Sequence, residues 1–156
     1  MQLVDYHSPL GIIEIKGNKL GIYSVLFVER EQVKYMKKPD TATPLLECFT
    51  QLDEYFKGER FTFSVPFIFE GTVFQQAVWR ALTTISYGKT ASYKEIAILV
   101  GNEKAVRAVG TTNGKNLISI IVPCHRIIGI NGKLTGYAGG LWRKEWLLNH
   151  EKSNVK

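Results

Sequence analysis

A chain of 156 residues, 45% hydrophobic and 22% charged, is long enough to bury one or two small cores without disulfides. No apolar run approaches the about 20 residues of a membrane span, and the start of the chain lacks the pattern of a signal peptide. Cys48 and Cys124 belong to no CxxC pair, and His7, His125 and His150 have no zinc-ligand spacing, so no metal is expected and the free thiols suit a reducing, cytoplasmic setting. The net charge of +6 is unevenly spread. Residues 1–73 carry 8 Lys and Arg against 10 Asp and Glu, and residues 74–156 carry 12 against 4. An anionic partner such as nucleic acid is the natural inference, although a merely basic surface gives the same count.

Residues 2–28 read as strands: Gln2 to Tyr6, then Ile13 and Ile15 alternating with Glu14 and Lys16, a turn at Gly17-Asn18, and a further strand from Leu20 to Val28. Residues 29–42 are polar and read as a linker loop. Thr43-Pro44 supplies a cap and a first-turn proline for a helix whose Leu45, Phe49, Leu52 and Phe56 share one face and which Gly58 ends. Cys48 on that helix reads as a packing residue. Phe61, Phe63, Val65 and Phe67 alternate, as an extended segment does. Nothing before residue 70 looks catalytic.

From Gly71 the period becomes helical. Thr72 with Gln75 and Ser92 with Glu95 are capping boxes. The first opens a helix striped by Phe74, Val78, Ala81, Leu82 and Ile85. The second opens a helix that Gly101 ends, and Asn102 then caps a short helix from Glu103 to about Thr112. Two short helices joined around Gly101-Asn102 fit a helix-turn-helix, and equally an ordinary helical hairpin. On the second, Ala105 and Ala108 lie three apart, so a phosphate ridge or a neighbouring helix can approach closely, and Arg107 projects from it. The apolar run 117–122 reads as a buried strand stopped by Pro123. Asn131-Gly132 marks a tight turn, and Leu141 to Glu151 a last helix with Trp142 and Trp146 as packing residues. The fold class is therefore α+β: a small strand–helix domain over 1–70, and a mainly helical domain over 71–156.

Cys124, set just past the proline with His125 beside it, is where chemistry can reside. A base of near-neutral pKa converts a weak thiol into a nucleophilic thiolate; otherwise such a cysteine is a small buried hydrophobe. Pro123-Cys124-His125-Arg126, Gly136-Tyr137-Ala138-Gly139-Gly140 and Lys144-Glu145-Trp146-Leu147-Leu148 closely resemble the O6-alkylguanine-DNA alkyltransferases, also called methylated-DNA–protein-cysteine methyltransferases. The resemblance spans residues 71–151 at high specificity and the N-terminal part more loosely. It implies a ribonuclease-H-like N-terminal domain, a DNA-binding helix-turn-helix, and transfer of an alkyl group from O6-alkylguanine in double-stranded DNA to Cys124. The product thioether would consume a monomeric protein in one turnover without a cofactor, and O4-alkylthymine remains open as a second substrate.

The same resemblance assigns roles. His125 would take the thiol proton, Glu151 would orient the imidazole, Asn116 would brace the turn, and Tyr93 would donate to a ring nitrogen of the leaving guanine. Arg107 would fill the space left by the flipped nucleotide. Ala105, Ala108, Thr111, Lys104 and Arg126 would make the remaining DNA contacts. Ile127, Tyr137, Ala138 and Gly139, with Tyr93, would line the base pocket, where main-chain carbonyls near Cys124 and Ile127 accept from the exocyclic amine. Flipping is required because a buried thiolate cannot reach a stacked base.

The chain departs from the family pattern in three places. Leu117 stands where many members have proline, Thr111-Thr112 where smaller residues are common, and Ala138 where some have serine. Two other functions remain open on the residues: a thiol hydrolase using Cys124, His125 and Glu151, which leaves the basic half unexplained, and a module that marks alkylated bases without repairing them.

Overall fold

The computed structural model describes residues 1–155, and the chain divides into two compact units, Met1–Phe69 and the part from Glu70 onward. The first unit is built on an antiparallel sheet of β1 (Gln2–Ser8), β2 (Gly11–Asn18) and β3 (Gly21–Val28) in that order. Ile13 and Ile15 are buried and Lys16 is exposed, as the alternation requires. Helix α1 (Thr43–Phe56) packs on the sheet. Its Leu45, Cys48, Leu52 and Tyr55 are fully buried, and Tyr6 from β1 stacks on Phe56 with ring centroids 5.9 Å apart.

Three details differ from the sequence reading. Asn18 pairs with Gly21, so the turn is Lys19-Leu20. Asn18 Oδ1 closes it by accepting from the Leu20 N–H at 2.8 Å, while Gly17 lies at a register shift inside β2. The residue capping α1 is Ala42, with no side-chain bond, and Thr43 is already helical; the proline alone carries the start signal. Residues 30–35 are not a free linker, because the buried Asp5 carboxylate binds the Arg30 guanidinium and the N–H groups of Lys34 and Tyr35 at 2.7 and 3.1 Å. The alternating segment near residue 67 does run extended, bridging Ile22 through Phe67.

The second unit contains α2 (Val73–Leu82), β4 (Ala91–Ser92), α3 (Tyr93–Leu99), α4 (Val106–Gly114), a 3-10 turn (Cys124–Arg126), β5 (Ile127–Ile128) and α5 (Leu141–Asn154). Both capping boxes form, Thr72 with Gln75 and Ser92 with Glu95. Helix α2 packs on α3 and α4, and α3 on α4, across a connection of residues 100–105. Asn102 does not cap α4. Its Oδ1 takes the Lys104 N–H at 3.2 Å in a local turn, so the helix begins only at Val106, and Lys104 and Ala105 precede it.

The largest departure is the run 117–122, which forms a tight turn in place of the expected strand. Ile118, Ile120, Ile121 and Val122 are buried in succession, a pattern that a compact turn satisfies as well as a strand buried on both faces does. Ile120 adopts a φ of +70°, a conformation costly for a β-branched residue. Close by in the chain, β5 pairs with β4 as a two-residue parallel bridge, Ala91 opposite Ile127. Among the described residues no helix is long and apolar enough to cross a membrane.

Candidate active site around Cys124

Asn116 makes the turn that presents Cys124. Its Nδ2 donates to the carbonyls of Val122 at 2.9 Å and Ile118 at 3.3 Å, and its Oδ1 accepts from the Ile118 N–H at 3.0 Å. Leu117 is half exposed, so rigidity here comes from these side-chain bonds without a proline. Pro123 follows, and Cys124 opens the 3-10 turn with its N–H bonded to the Val122 carbonyl at 2.8 Å. The thiol is buried, and burial raises its pKa, while Asn116 and the charge of Lys144 pull the other way. At rest it is therefore a thiol.

The next two residues turn into the core and meet α5. His125 is fully buried, and its Nε2 lies 2.6 Å from Glu151 Oε2. Arg126 donates through Nε to Glu151 Oε1 at 2.8 Å, through a second nitrogen to Oε2 at 3.1 Å, and through a third to the Ile85 carbonyl at 2.7 Å. The Gly88 N–H adds a bond to the carboxylate at 3.2 Å. Burial alone would raise the Glu151 pKa, but His125 and Arg126 hold it well below the carboxylate range. Burial lowers the His125 pKa against the pull of Glu151. The resting pair is thus a carboxylate and a neutral imidazole. Nε2 keeps its proton toward Glu151, and Nδ1, buried with no hydrogen-bond partner, is left as the basic nitrogen.

This geometry corrects the reading of Arg126. A guanidinium 6% exposed and bonded to Glu151 and Ile85 is an internal brace and cannot contact DNA. Arg107, Ala108 and Thr111 are exposed on α4. Lys104 is exposed as well, but with the half-buried Ala105 it belongs to the preceding turn, so the expected pairing of Ala105 and Ala108 on one helical face does not form.

Tyr93, at the start of α3, packs its ring 3.7 Å from where a side chain on Gly110 of α4 would begin, and its hydroxyl shares a hydrogen bond with Thr135. The loop of Tyr137, Ala138 and Gly139 is anchored on α5, where Arg143 donates to the Gly139 carbonyl at 3.0 Å and Gly140 N–H to the Tyr137 carbonyl at 2.9 Å. The Tyr137 hydroxyl is buried near Ser119, and burial pushes its pKa well up.

Sequence reasoning gave no role to Lys144. It is buried, bonds the Thr135 carbonyl through Nζ at 3.1 Å, and has its pKa pushed down to about 8 by burial, against the influence of Cys124. Spacing carried a usable signal, since Lys144, Leu147 and Glu151 fall on one helical stripe whose centre is an apolar residue. Trp142 was expected to pack and is instead 57% exposed, with the Arg143 guanidinium 4.6 Å from its ring centre.

Fold and site together define a two-unit α+β protein in which a buried cysteine adjoins a histidine–carboxylate pair on the unit that also holds a helix-turn-helix. The ribonuclease-like domain of 6-O-methylguanine DNA methyltransferase matches residues 5–69, and the DNA binding domain of the same family matches residues 73–153. The chain belongs to this family.

A methylated-DNA–protein-cysteine methyltransferase of Methanosarcina acetivorans is 49% identical over 98% of this chain and 99% of its own length. The constitutive one of Bacillus subtilis is 51% identical over 96% and 94%. The crystal structure of Mycobacterium tuberculosis OGT in complex with DNA superposes with a TM-score of 0.87 at 43% identity, covering 99% of this chain and 95% of that one.

Proposed function

We propose that this protein repairs DNA by direct reversal, moving the alkyl group of O6-alkylguanine in double-stranded DNA onto its own Cys124 in a single turnover. The observation that carries the proposal is the buried network of His125, Glu151 and Arg126 next to the buried Cys124, with His125 Nε2 held at 2.6 Å by the carboxylate and Nδ1 left without a hydrogen-bond partner. Glu151 fixes the tautomer and stabilises the imidazolium that forms when Nδ1 takes the thiol proton, directly or through a water. Arg126 keeps Glu151 ionised in the core. The Sγ–C bond then forms as the C–O6 bond breaks, O6 keeps the electron pair, and a proton restores N1–H, returning an ordinary guanine.

The remaining residues would handle the base. Tyr93 would exchange its Thr135 partner for a ring nitrogen of guanine, lowering the charge on the leaving group. Ile127, Tyr137, Ala138 and Gly139 would enclose the flipped base, with the Ala138 N–H toward O6. Arg107, Ala108 and Thr111 on α4 would meet the DNA, with Lys104 on the turn before it, and Arg107 would occupy the vacated space in the stack. One chain carries every group the chemistry needs, so the protein would act as a monomer, and the cytoplasm would keep the thiol reduced.

Intact-mass measurement tests this. After incubation with a duplex carrying O6-methylguanine, the mass should rise by one methylene, stop at one equivalent, and map to Cys124, with no change in Cys124→Ser. Tight lesion binding without a mass change would turn the assignment to a damage-marking module, and absence of binding to a thiol hydrolase.

A further inference from the structure

We propose that Thr135 is a positioning residue for the leaving base: its hydroxyl shares a hydrogen bond with Tyr93 at rest and donates to the Tyr93 oxygen once the Tyr93 proton turns to a ring nitrogen of guanine. The inference rests on the alkyl-transfer reading of the same site and deepens it. Tyr93 opens α3 just after the Ser92–Glu95 capping box is set, and its ring lies 3.7 Å from where a side chain on Gly110 would begin. Its hydroxyl has one hydrogen-bond partner among the described residues, Thr135 Oγ1. Thr135 is itself fixed. Its main-chain carbonyl accepts from the buried Lys144 Nζ at 3.1 Å, and its methyl branch lies 3.7 Å from where a side chain on Gly129 would begin. A β-branched side chain held on its methyl side has the direction of its hydroxyl set by a stiff χ1. That direction is Tyr93.

A hydroxyl both donates and accepts, so this pair can reverse its hydrogen bond without moving its heavy atoms. Donation to the base takes the Tyr93 proton away from Thr135 and leaves the Tyr93 oxygen with open lone pairs. As the C–O6 bond breaks, charge builds on the departing guanine and the Tyr93 hydrogen bond to it strengthens. Negative charge grows on the Tyr93 oxygen in step. A donor already aimed at that oxygen stabilises the transition state more than the ground state, which is the condition for speeding the chemical step. Thr135 also joins the two ends of the reaction. Lys144, on its carbonyl, favours the Cys124 thiolate, and Tyr93, on its hydroxyl, serves the leaving group.

The test is the rate of single-turnover methyl transfer to Cys124 from a duplex carrying O6-methylguanine, read by intact mass. Thr135→Val keeps the side-chain shape and the carbonyl bonded to Lys144 and removes only the hydroxyl. It should slow transfer by about tenfold, and Thr135→Ser should restore most of the rate. In a Tyr93→Phe background Thr135→Val should have no further effect, because the hydroxyl then has no oxygen to donate to. A packing fault slows transfer alike in both backgrounds and lowers the melting temperature; Thr135→Ala then repeats the comparison with a smaller side chain. Variants as fast as the parent, or Thr135→Ala slowed equally with and without the Tyr93 hydroxyl, would overturn the role of Thr135 and leave alkyl transfer intact. A Tyr93→Phe protein as fast as the parent would remove Tyr93 from the reaction and this inference with it. A parent that takes no methyl group would remove the alkyl-transfer reading as well.

Discussion

His125 and Glu151 make the site sensitive to acid in a defined direction. Burial holds His125 below its ordinary 6.5, and ion pairs hold Glu151 below its ordinary 4.5. In both cases the unfolded chain binds the proton more readily than the folded one, so the stability they contribute is complete above pH 6.5. It declines first as the unfolded histidine protonates, then further below pH 4.5, and Glu151's share is gone only when pH falls through its own lowered pKa. The melting temperature of the parent should therefore fall on acidification below pH 6.5, and His125→Gln should flatten that first part of the curve. Equal slopes in the two proteins would remove His125 as the cause.

Lys144 belongs to the same scale. Its charge favours the Cys124 thiolate, so Lys144→Met should move the thiol's ultraviolet titration to higher pH and slow its alkylation by iodoacetamide at neutral pH by a few-fold. An unchanged titration would show that Lys144 only anchors Thr135. From the sequence, Arg126 was expected among the DNA contacts. Only the fold shows that its charge is spent on Glu151, because burial is not a property of the residue type.

At the scale of elements, the turn at 116–122 is held by one side chain. Asn116→Ala removes three buried hydrogen bonds that keep Ile120 at positive φ. Urea unfolding should show a loss of roughly 2–4 kcal/mol, with slower alkylation of Cys124. Thr72→Ala, which removes the α2 capping box, should lower stability by about 1 kcal/mol and leave the Cys124 reaction rate unchanged. The contrast separates a structural cap from a turn that positions the nucleophile.

Both capping boxes were legible because each is a local exchange between a side chain and a backbone N–H three residues away. The turn was not, because a run of consecutive apolar residues has no period, and its shape is set by an asparagine that bonds across six residues to Val122. The start of α4 was displaced for a related reason: Asn102 can cap a helix or close a local turn, and its side chain takes the nearer N–H.

At the scale of the molecule, the excess of positive charge lies in the part of the chain that holds α4 and Cys124. Binding to duplex DNA should weaken steeply with salt, as counterion release requires, and should survive Cys124→Ala. Arg107→Ala gives a sharper test. If Arg107 replaces the flipped nucleotide, the variant should transfer a methyl group from duplex DNA much more slowly than the parent. Its reaction with free O6-methylguanine base, which needs no flipping, should be unaffected. Equal losses on both substrates would place Arg107 outside the flipping step.

The sequence by itself determined the α+β class, the two-part organisation of strands followed by helices, and the basic character of the second half, which follow from period and composition along the chain. It pointed to Cys124 with His125 only through the resemblance of Pro123-Cys124-His125-Arg126 and the motifs after it. The tertiary structure decided which groups meet: Glu151 with His125 across 26 residues, Arg126 as their internal brace, Lys144 beside the thiol, and Asn113 against the Cys124 carbonyl. Those contacts join segments far apart in the chain. Their energies come from burial and from charges facing each other in the core, neither of which exists until the chain has folded.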